Sequence, residues 1–420
     1  MAPHLVDHPD SHIGSPSRPE DETEPQSFRV SARIRADVQR RRRRRTRIKR
    51  TVLIAVLGLV LVVGWSLGHA LMRPGNDPAG TKLVEWVRDH GGGGAVNQIE
   101  SWWYRNHQPP KGGTPKGGIP KVAAPRPVPS KPATTSAQVT TTTTLSFVPA
   151  PVASVVQHPL PNEGVWQPTG KLVNGAPAVY QTFVRPDDVH TSLLAGAIWM
   201  DQRRLRTVLF NGVDVPGGGP WQRGAAVAPS DDASLVAAFN GGFRLDASRG
   251  GYLTEGKIVR PLVPGRASFV IRTDGTATIG QWDREVSLTP DIVSVRQNLD
   301  LIVDGGAPVP GLRQNDTSQW GATLGGEIFV WRSGVGIDAR GNLVYVAGQL
   351  DIVSLANVLA RAGAVRAMEL DINSGWVSAY VYDGTTPQDI HGVKLLGAIQ
   401  RPANRYLQTG SRDFFAMFAR

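Results

Sequence analysis

A dense basic run lies directly against an uncharged apolar run near the start of this chain. Residues 40–50 contain nine Lys and Arg residues, and residues 51–68 contain no charged residue. A helix of about 18–20 apolar residues can span the hydrocarbon core of a membrane, because it bonds every backbone polar group internally. The basic end of such a helix stays in the cytoplasm. We therefore predict a single-pass membrane protein with a transmembrane helix at residues 51–72, a cytoplasmic N-terminus and an exported C-terminal part.

The position and charge of the basic run distinguish between a signal peptide, a nucleic-acid-binding segment and a membrane-orienting segment. A cleaved signal peptide would carry its positive region at the very N-terminus, whereas this run begins at residue 40. The net charge of residues 29–50 is +11, as large as that of the whole chain. Such a run can bind nucleic acid, but beside a membrane span it orients the helix and attracts anionic lipid head groups. We therefore predict the lipid bilayer as a partner, through residues 51–72, and no nucleic acid.

The chain contains no cysteine. An exported domain of this sequence must therefore fold without disulfides, and it has no thiolate chemistry. Small exported scaffolds depend on disulfides, so this composition indicates a large domain held together by burial. It is typical of a bacterial cell envelope rather than an animal secretory pathway.

Composition divides the rest of the chain into regions. Residues 1–50 are rich in Pro, Ser and charged residues and are predicted to be a disordered, basic cytoplasmic tail. In residues 73–107, aromatic and apolar residues recur at helical spacing, which predicts either a helix in the membrane interface or a short helical hairpin. Residues 108–161, with the run Thr140–Thr144, are rich in Pro, Lys and Thr and predict an extended linker. One folded domain is predicted at residues 165–420.

The folded domain is predicted to be strand-rich, because short apolar runs alternate with Gly, Asp and Asn turns. One segment predicts a helix that Asp351 can cap and Gly363 can end. Strands flank this helix, so we predict a β-α-β unit with a functional loop after its second strand, at residues 371–376. The predicted fold class is α/β, with an α+β-like, strand-rich character. The predicted strands include residues 205–210, 235–239, 268–272, 299–303, 328–331 and 343–346.

Two clusters at the ends of predicted strands could carry chemistry. The first offers a side-chain amide, two uncrowded backbone N–H groups and a guanidinium, which together suit a phosphate. Its Asn-Gly pair is also a strong signal for a hairpin turn. The second is Asp304, which could serve as a base, a ligand or a turn former. The first cluster consists of Asn240, Gly241, Gly242 and Arg244.

Two further clusters place charged side chains on predicted strands. Arg332, if buried, needs an acidic partner or an anionic ligand, and the sequence leaves both open. Glu369 and Asp371 share one face of a strand, about 6.5 Å apart along the chain. Two such carboxylates can divide acid and base roles, or hold a divalent cation to which Asn373 adds an oxygen. We predict no required cofactor, with a divalent cation as the alternative, and assign no metal ligands.

Taken together in chain order, five segments of this sequence resemble the phosphodiester glycosidase family. The resemblance covers roughly residues 165–420. That family usually has an Asp followed by three Gly and a Ser, whereas this chain continues from Asp371 with Ile, Asn, Ser, Gly and Trp. The resemblance implies an α/β hydrolase that cleaves a sugar from a sugar-phosphate diester, between the anomeric carbon and the phosphate oxygen. The matching segments are Ala237–Phe243, Arg332–Asp338, Leu343–Val346, Ile352–Ala362 and Ala364–Asp371.

The implied reaction gives the candidate residues their roles. Phosphate is a good leaving group, so the site must neutralise it and orient a nucleophile. We expect Asp371 to be base or nucleophile, with Glu369 or Asp304 tuning it. The substrate would be a glycosyl phosphodiester of an envelope glycan or glycolipid. The candidate substrate-binding residues are Asn240, Gly241, Gly242, Arg244, Arg332, Asn373 and Ser374.

Two alternatives remain open from the sequence. A non-catalytic envelope module could use the same Arg and Asn side chains to bind a phosphate-bearing wall polymer. A phosphodiesterase could cut the other P–O bond, and such an enzyme is expected to depend on a metal. The products distinguish the two enzymes, because only the glycosidase releases free sugar together with a phosphomonoester.

Overall fold

The computed structural model describes residues 26–73, 75–125, 147–312, 320, 329–384, 386 and 388–420. The chain forms two compact units, residues 1–69 and residues 70–420. The first unit contains most of one long helix, and the second contains three β-sheets and a few short helices. The predicted strand-rich α/β class, preceded by one long apolar helix, is therefore confirmed.

Helix α1 (Gln26–Leu71) includes both the basic run and the apolar run. Part of it, residues 35–71, is long and apolar enough to cross a membrane, and no other helix in the described residues is. We predicted a disordered tail over residues 1–50, yet its described part, residues 26–50, is helical. A helix nucleated by the apolar run extends readily into this sequence, because Arg and Gln are good helix formers.

An antiparallel sheet of eight strands, numbered in chain order, is the largest layer of the second unit. It brings together the start of the domain and its C-terminal half, because three of its seven pairings join strands that are not consecutive in the chain. In spatial order its strands are β1 (Gln167–Val173), β2 (Ala176–Val184), β3 (Ala195–Met200), β14 (Leu343–Leu350), β13 (Val330–Asp338), β15 (Ala364–Glu369), β11 (Leu301–Asp304) and β12 (Ala307–Pro308).

Two five-stranded antiparallel sheets complete the second unit. The first contains β7 (Lys257–Arg260), β6 (Tyr252–Thr254), β10 (Ile292–Gln297), β8 (Ala267–Arg272) and β9 (Ala277–Gln281). The second contains β17 (His391–Lys394), β16 (Ala379–Asp383), β5 (Leu235–Asn240), β18 (Phe414–Ala419) and β4 (Leu205–Phe210).

One apolar core joins the three sheets. The ring of Phe239 on β5 lies 4.8 Å from that of Tyr345 on β14, and the ring of Phe415 on β18 lies 4.2 Å from that of Phe269 on β8. All four side chains are buried. Aromatic side chains bury large apolar areas, so these contacts tie the sheets into one body.

The predicted β-α-β unit is present with one strand inserted. Helix α5 (Ile352–Arg361) connects β14 to β15, and Asp351 caps it by accepting a hydrogen bond from the Ser354 N–H at 2.6 Å. β14 and β15 both pair antiparallel with β13, which lies between them. They are therefore parallel to each other, and the chain leaves β15 at the edge where Asp371 follows.

A short helical hairpin packs on the second unit. It consists of α2 (Ala79–Val87), a π-helical turn (Arg88–Gly92) and α3 (Gly93–Asn106). The Arg88 side chain holds the two helices together by donating to Glu100 at 2.8 Å. Asn76, just before α2, donates its N–H to the Thr409 carbonyl at 3.0 Å, and Tyr104 packs against an apolar cluster of the domain. We call residues 76–106 the covering segment.

The residues after the covering segment also follow the domain surface. The Gly112 N–H donates to the Val189 carbonyl at 2.7 Å, and Ile119 and Val122 pack against the main core. We predicted an extended linker over residues 108–161, and the described parts of it instead contact the folded unit, because some of its apolar side chains, such as Val152, are buried there. Residues 126–146, with the Thr140–Thr144 run, lie outside the described residues.

Candidate active site

Asp371 is buried at the C-terminal edge of β15, and only 4% of it is exposed. Its Oδ1 accepts hydrogen bonds from the backbone N–H groups of Ile372, at 2.8 Å, and Asn373, at 3.1 Å. Its Oδ2 faces the Arg412 guanidinium at 3.3 Å. The turn after β15 therefore fixes one carboxylate oxygen and leaves the other directed at a cation.

Burial raises the pKa of Asp371 to about 6. The Arg412 charge and the two backbone N–H groups oppose this rise, and the charge of Glu85 adds to it. A carboxyl with this pKa is mostly ionised at neutral pH but takes up a proton readily. Asp371 can therefore act as a base or a nucleophile near pH 7.

Arg412 was not among the residues predicted from the sequence. It lies two residues before β18 and is buried, with its Nη2 also donating to the Gly242 carbonyl at 3.2 Å. Its Nε has no hydrogen-bond partner in the described residues. The guanidinium lies 4.8 Å from the centroid of the Trp376 ring, which keeps it stacked beside Asp371. A buried guanidinium with a free donor suits an anion.

Arg244, a predicted phosphate ligand, lies near this pair. It precedes helix α4 (Leu245–Ser248), and its side chain is about one-third exposed. Its guanidinium binds the carboxylates of Glu85 and Asp89, which belong to the covering segment. Arg244, Arg412 and Asp371 line one cavity together. The Arg244 guanidinium is therefore already paired with carboxylates of the same chain.

Asn240 is buried, and both the oxygen and the nitrogen of its side-chain amide bond to protein groups. Its Oδ1 accepts from the Tyr345 hydroxyl at 2.8 Å, and its Nδ2 donates to Ser333 Oγ at 3.0 Å. The Ser333 N–H in turn donates to the Asp371 carbonyl at 2.9 Å. Asn240 therefore connects β5, β13 and β14, and it positions the backbone of Asp371.

Gly241 and Gly242 lie so close to neighbouring side chains that a larger residue would not fit at either position. A Cβ at Gly241 would lie 2.5 Å from Asp413 Oδ2, and one at Gly242 would lie 2.8 Å from Asn298 Oδ1. Asp413 forms a fully buried ion pair with Arg296, at 2.8 Å. The two glycines thus make room for a polar network, which sequence reasoning did not find.

Arg332 and Glu369 form a fully buried ion pair, with Arg332 Nη1 donating to Glu369 Oε1 at 2.7 Å. Arg332 Nε also donates to the Leu350 carbonyl at 3.0 Å. Burial raises the pKa of Glu369 to about 7, and Arg332 opposes this rise. The sequence left open whether Arg332 pairs with an acidic side chain or binds an anionic ligand. The structure shows an ion pair within the domain.

Asp304 lies at the opposite end of β15 from Asp371. Two residues after it, the Gly306 N–H donates to the carbonyl of Val365, near the start of β15, at 2.9 Å. The Asp304 carboxylate is partly exposed and binds Arg284 at 2.7 Å. The structure therefore does not bring Asp304 to the Asp371 cavity.

The loop after Asp371 contributes two predicted side chains. Asn373 lines the Asp371 cavity, and its Oδ1 accepts from the Gly375 N–H at 2.8 Å. Ser374 lies beside the Tyr104 hydroxyl of the covering segment, and burial raises the pKa of Tyr104. Within the described residues, no group of three or more His, Asp or Glu side chains could hold a metal ion.

The covering segment limits the space at Asp371. The cavity that Asp371, Arg412 and Arg244 line has a volume of about 80 Å³, and Glu85 and Tyr104 close it. An adjoining cavity of about 410 Å³ lies between the segment and the domain, with Trp376 and Arg412 in its wall. Ligand sites usually have volumes of about 300–1,000 Å³. The space beside Asp371 is therefore too small for a sugar phosphate in this conformation.

Solved structures from three organisms are similar to this chain at low identity, and no curated protein matches it. The zebrafish N-acetylglucosamine-1-phosphodiester alpha-N-acetylglucosaminidase catalytic domain, described as auto-inhibited by its pro-peptide, is 15% identical over 58% of this chain and 84% of its own, with a TM-score of 0.38. A hypothetical protein from Synechocystis is 13% identical over 60% of this chain and 64% of its own, with a TM-score of 0.34. A protein from Burkholderia pseudomallei described as exported is 14% identical over 56% of this chain and 75% of its own, with a TM-score of 0.29.

A family profile gives the more direct comparison. Residues 233–391 match the family described as phosphodiester glycosidase. The matched range begins just before β5 and runs through the turn that carries Asp371. The resemblance predicted from the sequence is therefore confirmed over residues 233–391, which match the phosphodiester glycosidase family.

Proposed function

We propose that the second unit hydrolyses a glycosyl phosphodiester at the bond between the anomeric carbon and the phosphate oxygen. The observation that carries this proposal is the buried Asp371 carboxylate, 3.3 Å from the Arg412 guanidinium in a cavity that Arg244 also lines. One oxygen-centred base or nucleophile beside two guanidinium groups is the arrangement that this reaction needs.

The division of roles follows from burial and contacts. Arg412 and Arg244 would bind the phosphate, because each presents a guanidinium to the cavity. Arg332 is fully buried against Glu369, so we now assign it to the support of β15 and not to the phosphate. Asn373 lines the cavity and would bind a sugar hydroxyl. Asn240 would hold Asp371 in place through Ser333.

The proposed reaction consumes one water. Asp371 would act at the anomeric carbon, either by activating the water or by forming the bond that water then breaks. The C1–O bond breaks with its electrons going to the phosphate oxygen, and the two arginines neutralise the charge that develops there. Water supplies a hydroxyl to C1 and a proton to the phosphate, giving a free sugar and a phosphomonoester.

We also propose an envelope location for this reaction. The apolar part of α1 could anchor the chain by length and composition. The nine basic residues at positions 40–50 would keep the N-terminus in the cytoplasm. The second unit would then meet glycosyl phosphodiesters of the envelope outside the membrane.

The first experiment is a product assay on the full chain in detergent with a panel of sugar-1-phosphodiesters. We expect free reducing sugar and phosphomonoester in equal amounts, with the same rate when a chelator is present. The variant Glu85→Gln/Asp89→Asn is assayed in parallel, because the covering segment closes the site. Sugar phosphate as the product would instead show a phosphodiesterase. Silence from both folded proteins would favour a polymer-binding module.

The pH dependence of the reaction gives a second test. Because burial raises the pKa of Asp371 to about 6, we expect kcat/KM to fall about tenfold per pH unit below pH 6. Glu85 contributes to that raised pKa, so the acid limb should move to lower pH in Glu85→Gln. The measurement is kcat/KM between pH 4.5 and 8 for both proteins. A wild-type limb near pH 4, where an exposed Asp titrates, would contradict the role of Asp371.

A further inference from the structure

Arg401 is a buried arginine with unused hydrogen-bond donors. Only 2% of it is exposed, and its Nη2 binds the Asp77 carboxylate and Asn76 Oδ1. Its Nε and Nη1 have no partner in the described residues. The N–H groups of a buried guanidinium are normally hydrogen-bonded, so Arg401 can form more hydrogen bonds than it forms here.

Three arginines surround one indole ring at this place. The guanidinium carbons of Arg401, Arg405 and Arg412 lie 5.6, 5.2 and 4.8 Å from the centroid of the Trp376 ring. Arg412 faces Asp371, whereas Arg405 donates to the Trp376 carbonyl and to Ser378 Oγ, which are neutral. Among the described residues that follow the covering segment, no carboxylate bonds to Arg401. The cluster therefore carries an excess of positive charge that favours an anion.

The anion now at Arg401 comes from the covering segment. Asp77 binds the Arg401 guanidinium through one carboxylate oxygen and the Ser411 hydroxyl through the other. Asp77 also lines the cavity of about 410 Å³, together with Trp376 and Arg412. A carboxylate that accepts from a guanidinium and a hydroxyl is held as a phosphate oxygen would be held. Asp77 thus marks where an anionic ligand group fits.

We propose that Arg401 and Ser411 form a second anion subsite, which Asp77 occupies in this conformation. The subsite takes an anionic group of the ligand when Asp77 leaves. Ser411 of this subsite and Arg412 both line the cavity of about 410 Å³, so one ligand in that cavity can contact the subsite and Arg412 together. That this ligand is the substrate rests on the proposed function, and the substrate would then carry a second phosphate or carboxylate beside the scissile phosphodiester.

The test measures binding of inorganic pyrophosphate and orthophosphate to the full chain in detergent by isothermal titration calorimetry. Asp77→Asn removes the carboxylate that competes for Arg401 and keeps a side chain of the same size. We expect it to tighten pyrophosphate binding about tenfold and orthophosphate binding much less, because only pyrophosphate reaches Arg401 and Arg412 together. Adding Arg401→Gln to Asp77→Asn should abolish the gain, and adding Arg401→Lys should keep part of it.

Asp214→Asn is the matched control. It removes one negative charge from the wall of the same cavity, where Asp214 contacts Arg73 and not Arg401. Equal tightening in Asp214→Asn and Asp77→Asn would overturn the subsite, because a change in overall charge would then explain both. Unchanged pyrophosphate binding in Asp77→Asn would overturn it too. Binding is read without turnover, so an inactive enzyme that still shows the Arg401-dependent gain would contradict the proposed function alone.

Discussion

Replacing Asp371 by Asn is expected to lower kcat for sugar release by about 10²–10⁴-fold. The amide keeps the size of the carboxylate and can still accept hydrogen bonds from the Ile372 and Asn373 N–H groups. It cannot act as a base or nucleophile. Burial already raises the pKa of Asp371, which means that the site disfavours its charge, so a neutral amide there should leave the domain folded. The rate of reducing-sugar release and the melting temperature are the two measurements.

Asp304→Asn is the control for this experiment. Asp304 is a partly exposed carboxylate at the far end of β15, and its partner Arg284 is also exposed. An exposed pair of this kind contributes about 0–1 kcal/mol to stability, so activity should remain at the wild-type level. Wild-type turnover in Asp371→Asn, or an equal loss in Asp304→Asn, would show that Asp371 is not the reacting group.

The sequence predicts the local elements of this fold well. The apolar runs predicted as strands at residues 205–210 and 235–239 coincide with β4 and β5, and the Asp351-capped helix is α5. These elements follow from side-chain periodicity and capping, which are local properties. The insertion of β13 between β14 and β15 is different, because it depends on pairings between distant segments that no local pattern encodes.

In the candidate site, too, some residues could be predicted from the local sequence and others depend on contacts between distant segments. Asp371 could be predicted, because a carboxylate at the end of an apolar strand is a local signal. The need of a buried Arg332 for an acidic partner or an anionic ligand could also be predicted, and the structure pairs it with Glu369. Arg412 lies 41 residues from Asp371 and meets it only through the packing of β18. Its one signal was a charged pair, Arg412 and Asp413, directly before an apolar strand.

The covering segment could not be placed from the sequence for a related reason. Helical structure was predicted there from spacing, but Glu85 binds Arg244 and Asp77 binds Arg401 through tertiary contacts alone. From sequence alone, Glu and Asp on a short helix are interpreted as solvent-exposed surface residues, because most Glu and Asp residues are exposed. Only the partner arginines give Glu85 and Asp89 a role.

Neutralising those two carboxylates, in Glu85→Gln/Asp89→Asn, is expected to raise kcat/KM by about three- to tenfold. Both bind Arg244, whose side chain is one-third exposed, so solvent weakens each pair to about 0.2–1 kcal/mol. Losing both shifts the balance toward conformations in which the segment has left the site, and it frees Arg244 for phosphate. The measurements are kcat/KM for sugar release and the rate of proteolytic cleavage within residues 76–106, and both should rise together.

Asp246→Asn separates release of the segment from a simple loss of charge near Arg244. Asp246 lies 3.6 Å from the Arg244 guanidinium but belongs to α4 of the domain, so its replacement should change neither activity nor cleavage by more than about twofold. A rise in activity equal to that of the double variant would mean that the segment does not restrict access. A loss as large as that in Asp371→Asn, with the protein still folded, would make Glu85 a second catalytic carboxylate. The covering segment would then complete the active site, because Glu85 already lines the same cavity as Asp371.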